Sequence, residues 1–433
     1  MGKYNAYEKY KDSGIEWLGE IPEHWKRSIF RYYFDIQLGK MLQNEPQSEN
    51  DEEISYLKAI HVRWNKVDTY DLPKMWASPK DKEKYYVKNG DLLICEGGEV
   101  GRTALLKDLQ EDCIIQNALH RVRSLSQSNV KYLSYLMQHI ADTGWLDILC
   151  NKSTISHLTS EKLSALPLPF PPLPEQQAIA NFLDYKTKQI DALINKKETL
   201  LEKLDEKRTA IISHAVTKGL DPNVPMKNSG IEWLGEVPQH WHQKRLKFSV
   251  DLINNKIEAE NSNLPYMGLE HIESWTGKRI ADDNALSEGI ASHFRPDDVL
   301  FGKLRPYLAK VYLSEIEGLA STEALVLRSK EDIYSKFLKY YILSRDFINI
   351  VDSSTFGAKM PRASWDFIGN LFLTTPPLSE QQAIANFLDH KTKQIDQQKF
   401  KIQQAIDRLK EYRTALITNA VTGKIDVRQV SIP

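Results

Sequence analysis

The sequence has few cysteines and no long apolar run, and both absences exclude classes of protein. Cys95, Cys113 and Cys150 are scattered among 433 residues, without the paired spacing of a disulfide framework or a zinc site. No stretch of about 18 apolar residues occurs, and the first residues lack the apolar core of a signal peptide. We therefore expect a reduced cytoplasmic protein that neither is secreted nor spans a membrane.

An excess of one charge is also missing. The 57 Lys and Arg residues nearly balance 58 Asp and Glu residues, so the net charge of -1 neither indicates nor excludes a nucleic-acid partner. Any basic surface must therefore be local. The length and the 41% hydrophobic content are typical of a globular protein with two or three domains.

Familiar catalytic motifs are absent from the sequence. It contains no phosphate-binding loop, no H-E-x-x-H zinc motif and no G-x-S-x-G nucleophile motif. The glycines at 97–101 do not have the G-x-G-x-x-G order and are expected to form a turn. Glu96 with Glu99, or Asp297 with Asp298, could suggest nuclease carboxylates, but the acidic-x-Lys arrangement that should follow them is missing. We expect surface carboxylates there, and no catalytic or metal-binding residue in the chain.

The main feature of the sequence is a tandem duplication. Leu173 to Ile194 and Leu378 to Lys399 are identical at 17 of 22 positions, at an offset of 205. The segment "KDSGIEWLGEIPEHW" from Lys11 returns as "KNSGIEWLGEVPQHW" from Lys227. Each unit of the repeat thus consists of an entry motif, a long variable region and a predicted helix.

Apolar residues in each predicted helix follow the alternating three- and four-residue steps of a coiled-coil seam. The predicted seams are Ile179, Leu183, Ile190, Leu193, Leu200, Leu204 and Ile211, and then Ile384, Leu388, Ile395, Ile402, Ala405, Leu409, Tyr412 and Leu416. A helix from Pro174 to about Lys218 would be about 65 Å long. A domain of about 150 residues has a radius of gyration of only about 15 Å and spans that length poorly. We therefore expect the two helices to run antiparallel, related by a pseudo-two-fold axis.

The variable regions have the pattern of β-rich domains with similar scaffolds and different loops. "GDLLICEGGEVGRTALL" from Gly90 corresponds to "DDVLFGKLRPYLAKVYL" from Asp297, and shared strands are predicted from Tyr56 and Tyr266. Polar and basic residues cluster on the predicted loops. Such side chains suit duplex DNA, where Arg and Lys pair with guanine or phosphate and Asn pairs with adenine. The candidate DNA-binding residues are Arg102, Asn117, Arg121, Lys152, Thr154, His157, Lys303, Arg305, Tyr307, Lys359 and Arg362.

The ordered set of repeats resembles the specificity subunit of type I restriction-modification systems. The resemblance covers essentially the whole chain through "IEWLGEIPEHW" with "IEWLGEVPQHW", "PPLPEQQAIANFLD" with "PPLSEQQAIANFLD", and "RTALITNAVTGKID" near the end. It implies two target recognition domains, each reading half of a split DNA site, and two helices that act as a spacer. It also implies two modification subunits that use S-adenosylmethionine and two restriction subunits that use ATP and Mg, with no cofactor on this chain.

The expected fold is α+β, with two mixed β-rich target recognition domains joined by two long antiparallel coiled-coil helices. The domains are predicted at 1–172 and 222–377, and the helices with their tails at 173–221 and 378–433. The motifs around Trp17 and Trp233 are expected to anchor each domain to the helices or to a partner. Two alternatives are the specificity subunit of a related restriction enzyme that cuts on both sides of its site, and a free-standing structural or antirestriction protein.

Overall fold

The computed structural model describes residues 4–125, 127–150, 157–280, 289–357 and 359–432. The chain forms two compact units. Unit 1 consists of Met1–Lys196 with Ala405–Pro433, and unit 2 of Lys197–Gln404. Each unit therefore combines one variable region with the N-terminal part of the long helix that follows it and the C-terminal part of the other long helix.

The helices of unit 1 and its neighbouring segments are α1 (Pro79–Tyr85), α2 (Val130–Asp142), α3 (Trp145–Leu149), α4 (Ser160–Ala165) and the first part of α5 (Leu173–Lys218). Its strands are β1 (Tyr10–Asp12), β2 (Glu20–Pro22), β3 (Lys26–Ile29), β4 (Phe34–Leu38), β5 (Glu52–Leu57), β6 (Val62–Arg63), β7 (Lys66–Val67), β8 (Lys74–Ala77), β9 (Tyr86–Val87), β10 (Leu92–Cys95), β11 (Thr103–Leu105), β12 (Cys113–Ile115), β13 (Leu119–Ser124) and β14 (Pro167–Phe170).

Two four-stranded sheets form the body of unit 1. One is antiparallel in the order β11-β10-β13-β4, and the other has the order β8-β5-β12-β9 with β5 and β12 parallel. Strand β10 reads "LLIC" without polar alternation because all four of its residues are buried. Its Leu93 and Cys95 share a core with Ile115 of β12, in the second sheet, and with Leu119 of the neighbouring β13.

The helices of unit 2 are the end of α5, α6 (Leu246–Ser249), α7 (Ser335–Ile342), α8 (Arg345–Ser353), α9 (Trp365–Ile368) and the first part of α10 (Leu378–Val421). Its strands are β15 (Met226–Asn228), β16 (Glu236–Pro238), β17 (His242–Arg245), β18 (Val250–Ile253), β19 (Lys256–Glu258), β20 (Tyr266–Met267), β21 (Ile290–Phe294), β22 (Asp298–Gly302), β23 (Val311–Leu313), β24 (Gly318–Ser321), β25 (Ala324–Ser329) and β26 (Phe372–Thr375).

Unit 2 repeats the antiparallel sheet of unit 1 and part of the second sheet, in which the parallel pair lies at an edge in unit 2 and in the centre in unit 1. Its antiparallel sheet has the order β18-β25-β22-β23, and its second sheet, β19-β21-β24-β20, again contains one parallel pair, β20 with β24. The predicted agreement between the two scaffolds is therefore confirmed. The strand predicted from Tyr56 begins already at Glu52 and ends at Leu57, and the strand predicted from Tyr266 ends at Met267. Both end sooner than predicted, because 3₁₀ turns follow at Ala59–His61 and Leu269–His271.

The two long helices begin at Leu173 and Leu378, where the repeated sequence begins, and the predicted first helix to about Lys218 is confirmed. At the start of the second helix the amides of Glu380 and Gln381 donate to the Pro377 carbonyl. No helix in the described ranges is long and apolar enough to cross a membrane.

The helix segments within each unit run antiparallel, as predicted. In unit 2 the Lys399 ammonium lies 2.6 Å from the Asp205 carboxylate, and Arg208 donates to Asp396 at 2.6 Å. From the first of these two contacts to the second, the residue numbers rise on α5 and fall on α10, so the two segments run in opposite directions. In unit 1 the Arg413 guanidinium donates to Asp191 at 2.9 Å.

Part of the predicted helix seam is wrong. Leu193 and Leu200 are 48% and 46% exposed, whereas Ile194 is only 8% exposed. Tyr412 is exposed as well, and Thr187 is buried although it is not among the predicted seam residues. A straight α-helix has 3.6 residues per turn, so a stripe counted at 3.5 residues drifts around the helix over several turns.

The repeated residues at each helix start anchor the variable region of the same unit. In unit 1 the Glu175 carboxylate accepts hydrogen bonds from Trp25 Nε1 at 2.9 Å, Tyr7 at 2.5 Å and His24 at 2.8 Å. In unit 2, Glu380 accepts from Trp241 Nε1 at 3.1 Å and from His240 at 2.8 Å. The His-Trp pair that ends each entry motif therefore meets the glutamate of the helix.

The second tryptophan of each motif makes the bond to the helix. Trp25 and Trp241 are fully buried and bonded to the helix glutamates. Trp17 is half-buried against the His139 ring, and its indole nitrogen has no hydrogen-bond partner in the part of the chain that the structure describes. The bonds of both motifs to the helices agree with the expectation, and anchoring to a partner stays a prediction.

A second repeated contact fixes α2 and α7 to the long helices. Tyr135 donates to Asp184 at 2.9 Å in unit 1, and Tyr340 donates to Asp389 at 2.6 Å in unit 2. Burial alone would raise the pKa of Asp389, but the hydrogen bonds from Tyr340 and Lys336 lower it below its usual value. Asp184 and Asp389, which are equivalent in the repeat, therefore have the same structural function in the two units.

Candidate nucleic-acid interface

Three loops of unit 1 meet beyond the ends of β10 and β13. The Glu96 amide donates to the Ala118 carbonyl at 3.0 Å, and the Leu158 amide donates to the Glu96 carbonyl at 2.8 Å. The glycine-rich turn after β10 is therefore bonded on both sides, to the turn before β13 and to the segment before α4. His157 lies against this turn, since a Cβ added to Gly97 would be 3.4 Å from its ring.

Unit 2 joins the corresponding loops with the same hydrogen bonds. The Lys303 amide donates to the Glu323 carbonyl at 2.9 Å, and the Ala363 amide donates to the Lys303 carbonyl at 3.0 Å. A further bond runs from the Arg305 amide to the Pro361 carbonyl at 2.8 Å. Lys303 therefore occupies in unit 2 the place of Glu96 in unit 1.

The backbone conformation supports this correspondence. Counted from Glu96 and Lys303, Gly98 corresponds to Arg305, and both have a positive φ, of 76° and 50°. A left-handed conformation is easy for glycine but costs a non-glycine residue roughly 1 kcal/mol or more. Unit 2 keeps this conformation with an arginine, and strain of this kind is typical of functional sites.

Four of the predicted residues in unit 2 face solvent or a groove. Arg305, Tyr307 and Lys359 are exposed, and Lys303 is half-buried. Their side chains have no hydrogen bond or ion pair with the residues that the structure describes. They are therefore available to a ligand.

The half-buried Arg362 side chain is paired with one specific carboxylate, that of Glu323. Its Nε and Nη2 atoms donate to the two carboxylate oxygens of Glu323 at 3.0 and 3.1 Å. The hydrogen bonds to Glu323 raise the pKa of Arg362. The paired guanidinium positions the loop that carries Lys359, and its half-exposed edge still reaches the surface.

The predicted residues in unit 1 lie in more varied places. Arg102 donates to Glu99 at 3.0 Å and to the Ala59 carbonyl at 2.8 Å, so it ties two loops together. Asn117 is half-exposed in the turn before β13, and His157 is exposed. Lys152 and Thr154 lie outside the described residues.

The expected loop position of Arg121 is wrong. Arg121 lies within β13, is 7% exposed, and donates to the carbonyls of Lys84 at 3.1 Å and Tyr86 at 2.6 Å. Burial lowers the pKa of its guanidinium, and Arg123 beside it lowers it further. Arg121 therefore holds α1 against the sheet, and its guanidinium does not point to a surface ligand.

The comparison with known families identifies the chain. The sequence profile of the type I restriction modification DNA specificity domain matches residues 34–203 and 253–408, one stretch for each repeat. The chain belongs to this family. A specificity subunit is the DNA-recognising, non-catalytic component of a type I restriction-modification system, and this is the role of the chain.

Similar proteins include specificity subunits from a bacterium and an archaeon. The chain is 23% identical to the type I restriction enzyme MjaVIII specificity subunit of Methanocaldococcus jannaschii, over 95% of both chains. It is also 23% identical to the EcoDI specificity subunit of Escherichia coli, over 63% of this chain and 65% of that subunit. The latter match thus spans slightly less than two thirds of its relative.

Two solved structures share the fold. The HsdS subunit from Thermoanaerobacter tengcongensis superposes with a TM-score of 0.54 at 16% identity, covering 94% of this chain and 98% of that one. A chain solved in work on complex assembly and conformational transition of the type I R-M system gives 0.70 at 15% identity, covering 93% and 98%. At such low identity the likeness shows the fold alone.

Several surface residues of the specificity subunit beside these loops escaped the sequence prediction. In unit 1 the β6–β7 hairpin presents Arg63, Asn65 and Lys66, and its Trp64 donates to Glu99 in the glycine-rich turn. In unit 2, Phe356 is exposed beside the loop of Arg362. The sequence "HVRWNKV" offered a signal, because basic residues alternate there with an aromatic one.

A groove of about 420 Å³ borders the loop cluster of unit 2. Lys256, Lys303 and Arg362 supply cationic groups, while Thr322 and Asn254 add neutral polar groups. Donors of this kind suit phosphates and the acceptor edges of bases. Within the described ranges, no group of three or more His, Cys, Asp or Glu residues could hold a metal ion.

Proposed function

We propose that each unit of this specificity subunit reads one half of a bipartite double-stranded DNA target. The observation that carries the proposal is the loop cluster, which has the same backbone hydrogen bonds in both units and different side chains at the corresponding positions. A common scaffold with different reading groups suits two different half-sites. The domains at 1–172 and 222–377 then act as the two target recognition domains.

The long helices supply the surface for other subunits in this proposal. Both copies of the repeated helix have the same polar residues at four exposed positions, although packing does not constrain the residue type there. These residues are Gln177 and Gln382, Asn181 and Asn386, Lys188 and Lys393, and Gln189 and Gln394. On α5, exposed Leu193 and Leu200 are seven residues apart and so share one face. Two copies of one partner, each binding one such surface, would explain the identity.

We infer that these partners are two modification subunits, joined by two restriction subunits, in the cytoplasm. In this assembly the modification subunits bind S-adenosylmethionine and the restriction subunits bind ATP and Mg. The chain itself contributes DNA recognition and assembly. Purification of the tagged chain from its source should recover methyltransferase subunits, and a chain that purifies alone would favour a free-standing DNA-binding protein.

We further propose that the helices set the distance between the half-sites. Reading domains that face one side of the duplex should lie about one helical turn, about 34 Å, apart, which predicts about five to eight undefined base pairs between short defined blocks. Four residues inserted near Leu200 add about 6 Å of helix. The gap should then lengthen by one or two base pairs, while the defined blocks stay the same.

The structure permits a sharper version of this experiment. Asp205 lies opposite Lys399 and Arg208 opposite Asp396, so the segment near Leu200 faces the segment near Gln404. Insertions of four residues at both places keep the two helices in register. Methylation motifs of the assembled variant are then sequenced genome-wide, with a single insertion in the loop at Asn223 as a control. A folded, active variant with the original gap would contradict the proposed spacer function.

A further inference from the structure

One loop position carries opposite charge in the two units. Glu96 in unit 1 and Lys303 in unit 2 make the same two backbone hydrogen bonds to the neighbouring loops, so the fold places their Cα atoms equivalently. Both residues are half-buried. Neither side chain has a hydrogen bond or an ion pair with the residues that the structure describes.

Glu96 differs in this respect from Glu99, three positions later, whose carboxylate has hydrogen-bond partners. Glu99 accepts hydrogen bonds from Arg102 and Trp64, and thus has a structural function. Burial raises the pKa of Glu96, although His157 nearby opposes that effect. A half-buried carboxylate without donors is costly, and such a group is expected where a ligand supplies the donor.

The chemistry of DNA limits what Glu96 could bind. A carboxylate is repelled by phosphate, but in the major groove it can accept a hydrogen bond from the exocyclic amino group of cytosine or adenine. An ammonium at the same position makes the reverse contact, because guanine presents only acceptors, O6 and N7, on that edge. The two units would thus select base edges of opposite hydrogen-bonding polarity, a donating edge in one half-site and an accepting edge in the other.

We propose that Glu96 and Lys303 are specificity-determining residues, with Glu96 accepting a hydrogen bond from a base amino group in one half-site and Lys303 donating to guanine in the other. This inference rests on the proposed function of the loop clusters as reading surfaces. It assigns one base pair of each half-site to one residue. Cytosine and adenine share the amino group, and the experiment distinguishes them.

The test uses the chain assembled with its modification subunits and a DNA library in which both half-sites are randomised. Glu96→Leu removes the acceptor and keeps most of the side-chain volume, so discrimination at one base pair should fall by about 5- to 150-fold. The base pair that loses discrimination shows whether the amino group belongs to cytosine or adenine. Glu96→Lys should shift the preference there to guanine, and Lys303→Glu should make the reverse shift in the other half-site.

Each variant serves as a control for the other, because a change in one unit should leave the opposite half-site unchanged. Glu83→Gln, on the exposed face of α1, should alter neither half-site. Assembled variants of Glu96 that keep every base preference would overturn the inference, and so would an equal loss of binding to all sequences. If the unmodified complex read no bipartite site, the proposed function would fail as well.

Discussion

Replacement of Glu175 by glutamine tests how the variable region of unit 1 is attached to its helix. Glu175 is 4% exposed and accepts three hydrogen bonds, from Tyr7, His24 and Trp25. Glutamine has the same shape, but it is neutral and presents a donor at one of the two oxygen positions. The substitution therefore weakens the bonds without creating a cavity.

The expected loss follows from the number of bonds and from their burial. A hydrogen bond to a charged group stabilises by about 1.5 to 3 kcal/mol and a neutral one by about 0.5 to 1.5 kcal/mol, so each weakened bond costs about 1 kcal/mol. Three bonds at Glu175 give about 3 kcal/mol. Glu380, the equivalent residue of unit 2, accepts only two and is 28% exposed, so Glu380→Gln should cost about 1 kcal/mol.

Hydrogen exchange of the full chain, followed by mass spectrometry, measures these losses locally. Opening of residues 173–185 should become about 150-fold more frequent in Glu175→Gln, and opening of residues 378–390 about 5-fold more frequent in Glu380→Gln. The unaltered unit of each variant is the control. Equal effects in the two variants, or no effect at residues 173–185, would refute the argument from burial and bond number.

Three further substitutions test the surroundings of the loops and helices. Arg305→Gly should weaken DNA binding by about 1 to 3 kcal/mol in a fluorescence anisotropy titration while relieving backbone strain, and unchanged affinity would remove Arg305 from the interface. Arg121→Met should lower the free energy of unfolding of unit 1 by about 2 to 3 kcal/mol and leave base preference unchanged. An altered base preference would contradict the buried position of Arg121. Asp389→Asn should cost about 1 kcal/mol at pH 7, because the lowered pKa stabilises the fold above the usual pKa. This cost should disappear as the pH falls below about 4, and a constant difference on acid titration by circular dichroism would exclude the proposed linkage.

The repeat made the long helices and the shared scaffold predictable. Internal duplication fixed their number and starting points, and the closure argument gave their antiparallel direction. The seam was less predictable, because a stripe counted in heptads assumes a supercoil throughout. Ile194 and Thr187 instead follow the straighter path of an ordinary α-helix.

The interface was only partly predictable, because residue type does not reveal which side chains the fold has already occupied. Arg305 and Lys359 point outward as expected, whereas Arg121 is used by the carbonyls of Lys84 and Tyr86. Asp298 showed the opposite error. Its carboxylate was expected to be an ordinary surface group, yet it is fully buried and accepts hydrogen bonds from Arg328 at 2.8 and 2.7 Å.

Unit 1 is built from two separate segments of the chain, and this has a consequence for synthesis on the ribosome. Tyr132 donates to the Val421 carbonyl and the Asp426 amide donates to the Asn5 carbonyl, so the earliest part of the chain is completed by the latest. Residues 197–404 must be translated in between, which takes about 10 to 40 s at about 5 to 20 residues per second. Unit 2 is continuous and can finish as soon as Gln404 has emerged. The unit that begins first is therefore expected to fold last, and until then its nascent form exposes the buried face that α10 will cover.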